Sequence, residues 1–503
     1  MTGTLGIVTS RRAVASSLCS LHDWVVNSVY ERNDGTFRFV YQKRLEVDTS
    51  GHEDMIPEVR KCPVRDIGTA WNTALLLGFL SHQTWAPDPT SAGSGVLLAA
   101  VRNTIDAYGS DVVEFQSDES ALPCARLNSA ALLGEAPAIV HSAFLTLGLL
   151  AEQRLIKRKD WNGLCLVKRL MNGVVSQQDH ETGAVAVLFG RKDKNSVNFG
   201  IELYPAESLL SLVDVAKYIV EEAKRKGAAE KHEWGDVRRY LQCVSDAFPF
   251  YAKFFHEEFL PRVDVGGDGR ERERESVNFF ANWQVHAFAE YVQLLLDIDE
   301  LVRAGLHAHV SALPCPFSVV EGLERRCGEM AAYVKELSLH VARSRCFQGL
   351  GRRLKRRRSS KGEGDVAMLQ EGAGGAHVER LSQDFATVEV ACGLEALIFA
   401  WRLQARLRRG TGSVGEFGGE GGSTLMTSLR ASAGVGVGLM TGADKEIESA
   451  IESGVQYLLE VQKKEEPGKG GFGHSLHHHS QRIDVTCHVA SAFMQLYGCL
   501  PEN

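Results

Sequence analysis

Residues suited to proton transfer occur together near residue 484, in the segment RIDVTCHVASAFMQLY. Asp484 and His488 stand four positions apart, so on a helix they would lie on one face. Such a pair can share a hydrogen bond and polarise each other for general acid/base catalysis. A buried pair with no catalytic role would show the same spacing, and both interpretations stay open.

A histidine-rich run precedes this segment and raises the question of a metal site. His474, His477, His478 and His479 all carry imidazole, the commonest nitrogen ligand of zinc. Consecutive histidines cannot all face one ion, and no acid stands at the H-E-x-x-H spacing. We therefore expect a loop that contacts substrate or solvent, and neither a metal nor another cofactor. No phosphate-binding loop, dinucleotide-binding glycine motif or serine nucleophile elbow is recognisable.

The composition is that of a globular protein with a large core. Of the 503 residues, 44% are hydrophobic and 24% are charged. With 56 basic against 63 acidic residues, the net charge is −7, which gives no basic excess for nucleic acid or an anionic membrane. We therefore expect neither partner. The 11 cysteines are scattered without a C-x-x-C motif, which favours reduced thiols in the core.

Two segments bear on localisation. The apolar stretch 130–151 contains Glu135, Pro137 and His141, which fit a buried helix better than a membrane span. The first residues include Arg11 and Arg12 and lack the apolar core of a secretory signal. We expect a cytoplasmic protein, with mitochondrial or plastid import left open.

Six segments combine a polar start with a helix rich in Ala, Gly, Ser and Leu. They begin near Asp66, Leu127, Glu202, Phe280, Phe385 and Ile483. More charged, amphipathic helices lie between them, such as 443–461, where Ile447, Ile451, Val455, Leu458 and Leu459 recur near the helical period. Small residues suit a helix inside a closed ring because its neighbours approach on both flanks. The sequence predicts a mainly α chain forming one domain over 1–503, an (α/α)6 toroid of about six helical hairpins.

Three stretches depart from this helical pattern. Residues 36–41, after the turn Asn33-Asp34-Gly35, predict a short strand. Residues 349–375, with the basic run 352–358, and residues 408–434, rich in Gly and Ser, have low complexity and no apolar period. We expect both to be mobile surface insertions. The basic run fits a nuclear-localisation or phosphate-binding patch, or a solvated face.

Three of the motifs together resemble the six-hairpin (α/α)6 superfamily. They are ELYPAE (202–207) entering an apolar helix, FANWQ (280–284), and Gly471-Phe472 followed by RIDVTCH (482–488). That superfamily includes glycosidases, sugar epimerases and unsaturated glucuronyl hydrolases. The resemblance implies a site at the amino-terminal ends of the inner helices and a small carbohydrate or glycoside as ligand.

The resemblance also implies which residues would serve the site. The implied catalytic residues are Asp484, Glu202, His488 and Glu389, and the implied substrate-binding residues are Tyr204, Trp283, Asn282, Arg482, Asp66, Glu207 and His477. Tyr204 and Trp283 would be stacking faces for a sugar. Glu202 and Asp484 open the third and sixth hairpins, which are opposite in a ring of six. Acids at helix starts also have a structural explanation as caps or first-turn charges.

Two functions from different classes follow. The first is a carbohydrate-active enzyme, a glycoside hydrolase or a sugar epimerase, that uses rim carboxylates and His488 for acid/base catalysis. The alternative is a non-catalytic helical ring, an interaction or scaffold protein with a vestigial cavity. Isoprenoid cyclisation or transfer is less supported, because the sequence lacks an aspartate-rich diphosphate motif.

Overall fold

The computed structural model describes residues 5–47, 53–59, 62–117, 120–128, 138–158, 161–190, 203–226, 231–261, 271–303, 323–362, 385–409, 441–476 and 478–502. These residues are mainly helical, as the sequence predicts. The helices are α1 (Arg11–Val26), α2 (Pro63–Leu80), α3 (Ala92–Gly109), α4 (Ile139–Ile156), α5 (Gly163–Val175), α6 (Tyr204–Lys226), α7 (Lys231–Phe254), α8 (Glu271–Arg303), α9 (Leu323–Ala342), α10 (Arg345–Gly362), α11 (Thr387–Arg409), α12 (Gly442–Val461) and α13 (Ile483–Tyr497). A short π-helix, Phe255–Phe259, continues α7.

Six of these helices pack against one another in a cycle. Helix α2 packs against α4, α4 against α6, α6 against α8, α8 against α11, α11 against α13, and α13 against α2. Other helices pack against this cycle: α3 against α2 and α4, α9 against α8 and α11, and α1 against α13. We call α2, α4, α6, α8, α11 and α13 the cycle helices.

Gly148 of α4 faces neighbouring helices. A Cβ added there would stand in ordinary van der Waals contact with Ile105, at 3.5 Å, and with Ile67 of α2, at 3.6 Å. Helix α4 is buried around most of its circumference, whereas α12 buries one stripe that includes Ile447, Ile451, Val455 and Leu458. Helix α4 thus has the all-round burial expected of an inner helix, and α12 has the single buried face expected of an outer helix.

The predicted helix starts agree with the structure to different degrees. Helix α13 begins at Ile483 as predicted, and α2 and α11 begin within three residues of the predicted positions. Helix α8 begins at Glu271, nine residues before Phe280. The start near Leu127 is wrong, because Leu127 ends a strand and α4 begins at Ile139.

The described strands form three small antiparallel groups. They are β1 (Val29–Glu31), β2 (Phe37–Phe39), β3 (Gln42–Val47), β4 (Glu53–Glu58), β5 (Val112–Ser117), β6 (Ser120–Leu127) and β7 (Gln481–Arg482). Strand β1 pairs with β2, β5 pairs with β6, and β3 pairs with both β4 and β7. The strand predicted over 36–41 corresponds to β2, and the turn before it holds Gly35 at a φ of 76°. Pairing of Gln42 with Arg482 ties β3 to the start of α13.

The first predicted insertion is partly helical. Helix α10 covers the basic run and continues to Gly362, so the prediction of a mobile loop is wrong for 349–362. Helix α10 packs against α12, and Arg353 pairs with Glu460 at 2.8 Å. Residues 363–384 lie outside the described residues. Of 408–434, only Arg408 and Arg409 are described, as the last residues of α11.

One described helix, α4, is long and apolar enough to cross a membrane by length and composition alone. The apolar window covers Ile139–Ile156, and 72% of it is buried within the protein. Such burial is also found in the core helices of soluble proteins, so this helix is weak evidence for a membrane span. No disulfide joins the described cysteines, and seven of them are buried.

Candidate functional site

A glycine-rich loop positions the first turns of α11 and α13. Gly470 has a φ of 87°, and a Cβ there would overlap the Ser20 carbonyl oxygen, so the loop sits directly against α1. The His474 carbonyl oxygen accepts a hydrogen bond from Thr387 N at 2.8 Å, at the start of α11. Gln481 accepts from Trp24 Nε1 at 2.6 Å immediately before α13. The two helix starts are thus held by one loop.

Within these helices, His488 and Glu395 form a buried bonded pair. His488 Nδ1 lies 2.8 Å from Glu395 Oε2, and the same oxygen accepts a hydrogen bond from Asn282 Nδ2 at 3.0 Å. The Glu395 side chain is 5% exposed and that of His488 is 20% exposed, so the carboxylate is shielded while the imidazole is partly accessible. The three residues join α13, α11 and α8.

Two opposing effects set the protonation of His488. Burial lowers its pKa, but Cys392 and Glu395 raise it, and the net pKa is well above the ordinary value. Burial also raises the pKa of the Cys392 thiol, which keeps that group neutral. Glu395 is therefore the charge that stabilises the imidazolium, since an opposite charge at hydrogen-bond distance favours the charged form.

A second buried acid, Glu207, lies near this pair. It stands in the first turn of α6, is 5% exposed, and its Oε2 has no hydrogen-bond partner among the described residues. Burial raises its pKa to about 8, against a smaller lowering by the charge of His488. Glu207 is therefore mostly protonated at pH 7 and ionises slightly above it. We call Glu207, Asn282, Glu395 and His488 the interior cluster.

Aromatic rings stand beside the interior cluster. The Trp283 ring lies 5.9 Å from the His488 ring, 6.4 Å from Trp71 and 5.8 Å from Phe144, measured between centroids. Trp71 and Trp283 are each 7% exposed. Indole faces are the usual stacking surface for the apolar side of a sugar ring. Trp283, predicted as a stacking face for a sugar, thus lies beside His488.

Asp484 stands in the first turn of α13 and is held by two arginines. Its carboxylate pairs with Arg482 Nε and with Arg65 Nε, each at 3.0 Å. Burial raises its pKa, but the two arginines outweigh burial and hold the pKa below the ordinary value. The expected hydrogen bond to His488 is absent among the described contacts, because His488 Nδ1 bonds to Glu395. Asp484 and Arg482 thus form an ion-pair cluster at the start of α13.

Glu389 and Asp66 are each held by a neighbouring side chain. Glu389 Oε1 accepts a hydrogen bond from Asn278 Nδ2 at 2.9 Å, and Glu389 is 5% exposed. Asp66 Oδ2 accepts from Tyr108 on α3 at 2.5 Å and from Cys62 N at 3.3 Å. Asp66 therefore faces α3 and is not part of the interior cluster.

The remaining predicted residues are Tyr204, Glu202 and His477. Tyr204 opens α6 and packs, partly buried, against the core. Glu202 and His477 lie outside the described residues. The structure therefore gives no separation between Glu202 and Asp484.

The sequence interpretation missed Glu395, Cys392 and Trp71. A signal was present for Glu395, because it is the one charged residue in the apolar run VACGLEALIFAW. A lone buried carboxylate costs free energy unless it is paired, so its presence points to a partner. The identity of that partner depends on the packing of α11 against α13 and could not be read from spacing.

Cys392, Glu395 and His488 offer ligand atoms that lie within 4.8 Å of one another. The donor types, a thiol, a carboxylate and an imidazole, suit zinc. However, Nδ1 and Oε2 are already bonded to each other at 2.8 Å. The arrangement is that of a hydrogen-bonded pair beside a buried thiol, and we assign no metal to it.

Comparisons with protein-family models, curated proteins and solved structures found no match to this chain.

Proposed function

We propose that this protein is a carbohydrate-active enzyme with an (α/α)6 toroid fold, and that Glu207 and His488 are its general base and general acid. The cyclic packing of α2, α4, α6, α8, α11 and α13 supports the toroid, since each helix then has two neighbours and no open end. The first turns of α6, α11 and α13 carry Glu207, Glu389 and Asp484. An active site of the proposed kind would lie at the amino-terminal ends of these cycle helices.

One observation carries the catalytic assignment. Glu207 and His488 are buried close enough for the charge of one to alter the pKa of the other. Glu207 is mostly protonated at pH 7, and the ionised fraction that would act as the base grows as the pH rises towards about 8. Once ionised, this carboxylate is a stronger base than an ordinary one, and Glu395 keeps His488 in the protonated form that would donate.

Of the two enzyme classes, an epimerase fits these groups better than a hydrolase. A glycoside hydrolase of the usual kind needs two carboxyl groups facing the substrate. Among the described acids at this end of the cycle helices, Asp484 and Glu389 are bonded to other side chains, and only Glu207 has an unbonded buried oxygen. In an epimerase, Glu207 would remove the proton from the carbon beside the sugar carbonyl, and His488 would donate a proton.

The ring environment would supply binding and orientation. Trp283 and Trp71 would pack against the apolar face of the sugar. Asn282 would hold Glu395, and Glu395 would hold the imidazole through Nδ1, with the Cys392 thiol also beside the ring. Burial of the cluster would exclude competing water and strengthen each electrostatic interaction.

The test is exchange of a sugar C–H proton with solvent. A panel of reducing sugars is incubated in deuterium oxide with the protein, and loss of the proton signal beside the carbonyl is followed by NMR. We expect exchange with at least one sugar, and a loss of at least about 100-fold in both Glu207→Gln and His488→Asn, as for removal of a general acid or base. Glu222→Gln is the matched control, because Glu222 lies on the same helix in a surface pair with Arg225.

Two results would contradict the proposed catalytic role. Exchange that continues at the normal rate in Glu207→Gln would remove this residue from the mechanism. If no sugar exchanges a proton and none is hydrolysed, while the protein is folded, the non-catalytic scaffold becomes the better explanation.

A further inference from the structure

A pocket lies away from the interior cluster, between α2, α3 and the β1–β2 hairpin. Its volume is about 300 Å³, at the lower end of the range of small-molecule sites. The lining residues that matter for recognition are Tyr30, Arg38, Asp66, Thr104, Tyr108 and Asp111. We call this the outer pocket. None of the interior cluster lines it.

The outer pocket contains the Arg38 guanidinium, whose charge acts on the Asp66 carboxyl of the same pocket without an ion-pair contact among the described residues. Among the described residues, Arg38 has no carboxylate within ion-pair distance, and its guanidinium donates only to the Phe37 carbonyl oxygen at 3.3 Å. The aromatic rings of Tyr30, Phe39 and Tyr108 also line the pocket. A guanidinium beside aromatic rings is suited to binding a carboxylate attached to an apolar group.

Negative groups line the same pocket. Asp66 Oδ2 accepts hydrogen bonds from Tyr108 and from Cys62 N, whereas no described group bonds to Oδ1. Asp111 lines the pocket too, and no hydrogen bond or ion pair involves its side chain among the described contacts. The pocket therefore offers carboxylate oxygens for a ligand cation in addition to the Arg38 guanidinium for a ligand anion.

A buried hydroxyl gives independent evidence that the pocket takes a polar ligand. Thr104, on α3, is 2% exposed, and its Oγ1 has no hydrogen-bond partner among the described residues. A helical threonine normally satisfies its hydroxyl on the preceding turn. An unbonded buried hydroxyl destabilises the fold, because it has lost its hydrogen bonds to water. A ligand atom in the pocket would remove that cost.

We infer that the outer pocket binds a small zwitterion of the amino-acid type, with its carboxylate at Arg38, its ammonium at Asp66 and Asp111, and its apolar part against Tyr30 and Phe39. The positive and negative groups of the pocket are matched by the two charges of such a ligand. Thr104 Oγ1 donates to the ligand carboxylate. This inference does not depend on the proposed function of the interior cluster.

The experiment uses the full chain and unlabelled amino acids. Each proteinogenic amino acid is screened by thermal shift, and the best binder is compared by calorimetry with its analogues that lack the amine or the carboxylate. We expect saturable binding of the amino acid and at least about tenfold weaker binding of both analogues.

Two variants localise the binding, and each has a matched control. Arg38→Met removes the guanidinium but keeps an apolar stem, and Thr104→Val removes only the hydroxyl. We expect each to weaken binding by about tenfold or more. Arg12→Met changes an exposed arginine of α1, and Thr146→Val removes an equally buried, unbonded hydroxyl from α4, so neither should alter binding.

Three results would overturn the inference. The first is that no amino acid gives a saturable shift. The second is that the analogue without the amine binds as tightly as the amino acid. Asp66 and Asp111 would then not bind the ligand ammonium. The third is that Arg38→Met and Thr104→Val bind as the unchanged protein does, which would place the ligand elsewhere.

Discussion

His488 and Glu395, 93 residues apart in the chain, are joined by a 2.8 Å bond between Nδ1 and Oε2. The bond joins neighbouring cycle helices, and Asn282 fixes the carboxylate from a third. One shielded carboxylate therefore controls both the orientation of the imidazole and its proton affinity.

Replacing Glu395 by Gln keeps the shape of the side chain but removes its charge. We expect the pKa of His488 to fall, because burial then acts without the opposing carboxylate. An NMR titration that follows the His488 ring proton measures this change. Glu222→Gln should leave the titration unaltered. A His488 pKa that stays the same in Glu395→Gln would show that another group holds the proton.

Glu207 should make the stability of the protein depend on pH. Its pKa is about 8 in the fold and near 4.5 in the unfolded chain. Between these values the folded state binds more protons, so stability falls as pH rises, by on the order of 1 kcal/mol per pH unit. Glu207→Gln mimics the protonated acid and should lose this dependence. Urea unfolding of both proteins from pH 5 to pH 8 tests it, and equal pH slopes would contradict it.

Asp484 should contribute to stability more than to turnover. In Asp484→Asn, the Arg65 and Arg482 guanidiniums lose the carboxylate that they share, and we expect a loss of about 1–3 kcal/mol. Proton exchange should stay within about tenfold of normal, since a general acid or base contributes more than that. Chemical unfolding and the exchange assay measure the two effects separately. A loss as large as that in Glu207→Gln would restore the catalytic role predicted from the sequence.

Two glycines with positive φ should respond differently to alanine. At Gly35 nothing lies within 4 Å of an added Cβ, so Gly35→Ala carries only the backbone strain, about 1 kcal/mol. At Gly183 the added Cβ would overlap the Asp246 carbonyl oxygen, and we expect a loss on the order of 3 kcal/mol or more. Denaturant midpoints of the two variants give the comparison. Equal losses would mean that the loop at Gly183 moves away without cost.

The helical part of the fold was predictable because its signals are local. Small residues such as Gly148 and the apolar stripe of α12 can be read in a window of one helix. The strand pairs were missed for the opposite reason. Strand β3 pairs with β7, whose residues lie more than 400 positions later, and no window contains both.

The site was predictable only in part. His488, Asn282, Glu207 and Trp283 were named from motifs, and the structure brings them together. The roles of the acids could not be predicted, because the sequence does not show whether a first-turn carboxylate such as Asp484 is paired with arginines or is free to react. Likewise, the basic run of α10 gave no sign that Arg353 pairs with Glu460 and that the helix docks on α12.

The contact between α13 and α2 has a consequence for how the protein is made. Helix α2 has α4 as one neighbour soon after it leaves the ribosome, but its other neighbour, α13, is translated some 400 residues later. Until then the flank of α2 that α13 will cover stays open to water and to other nascent chains, a state in which large proteins aggregate. We therefore expect a dependence on chaperones during synthesis that ends when α13 docks.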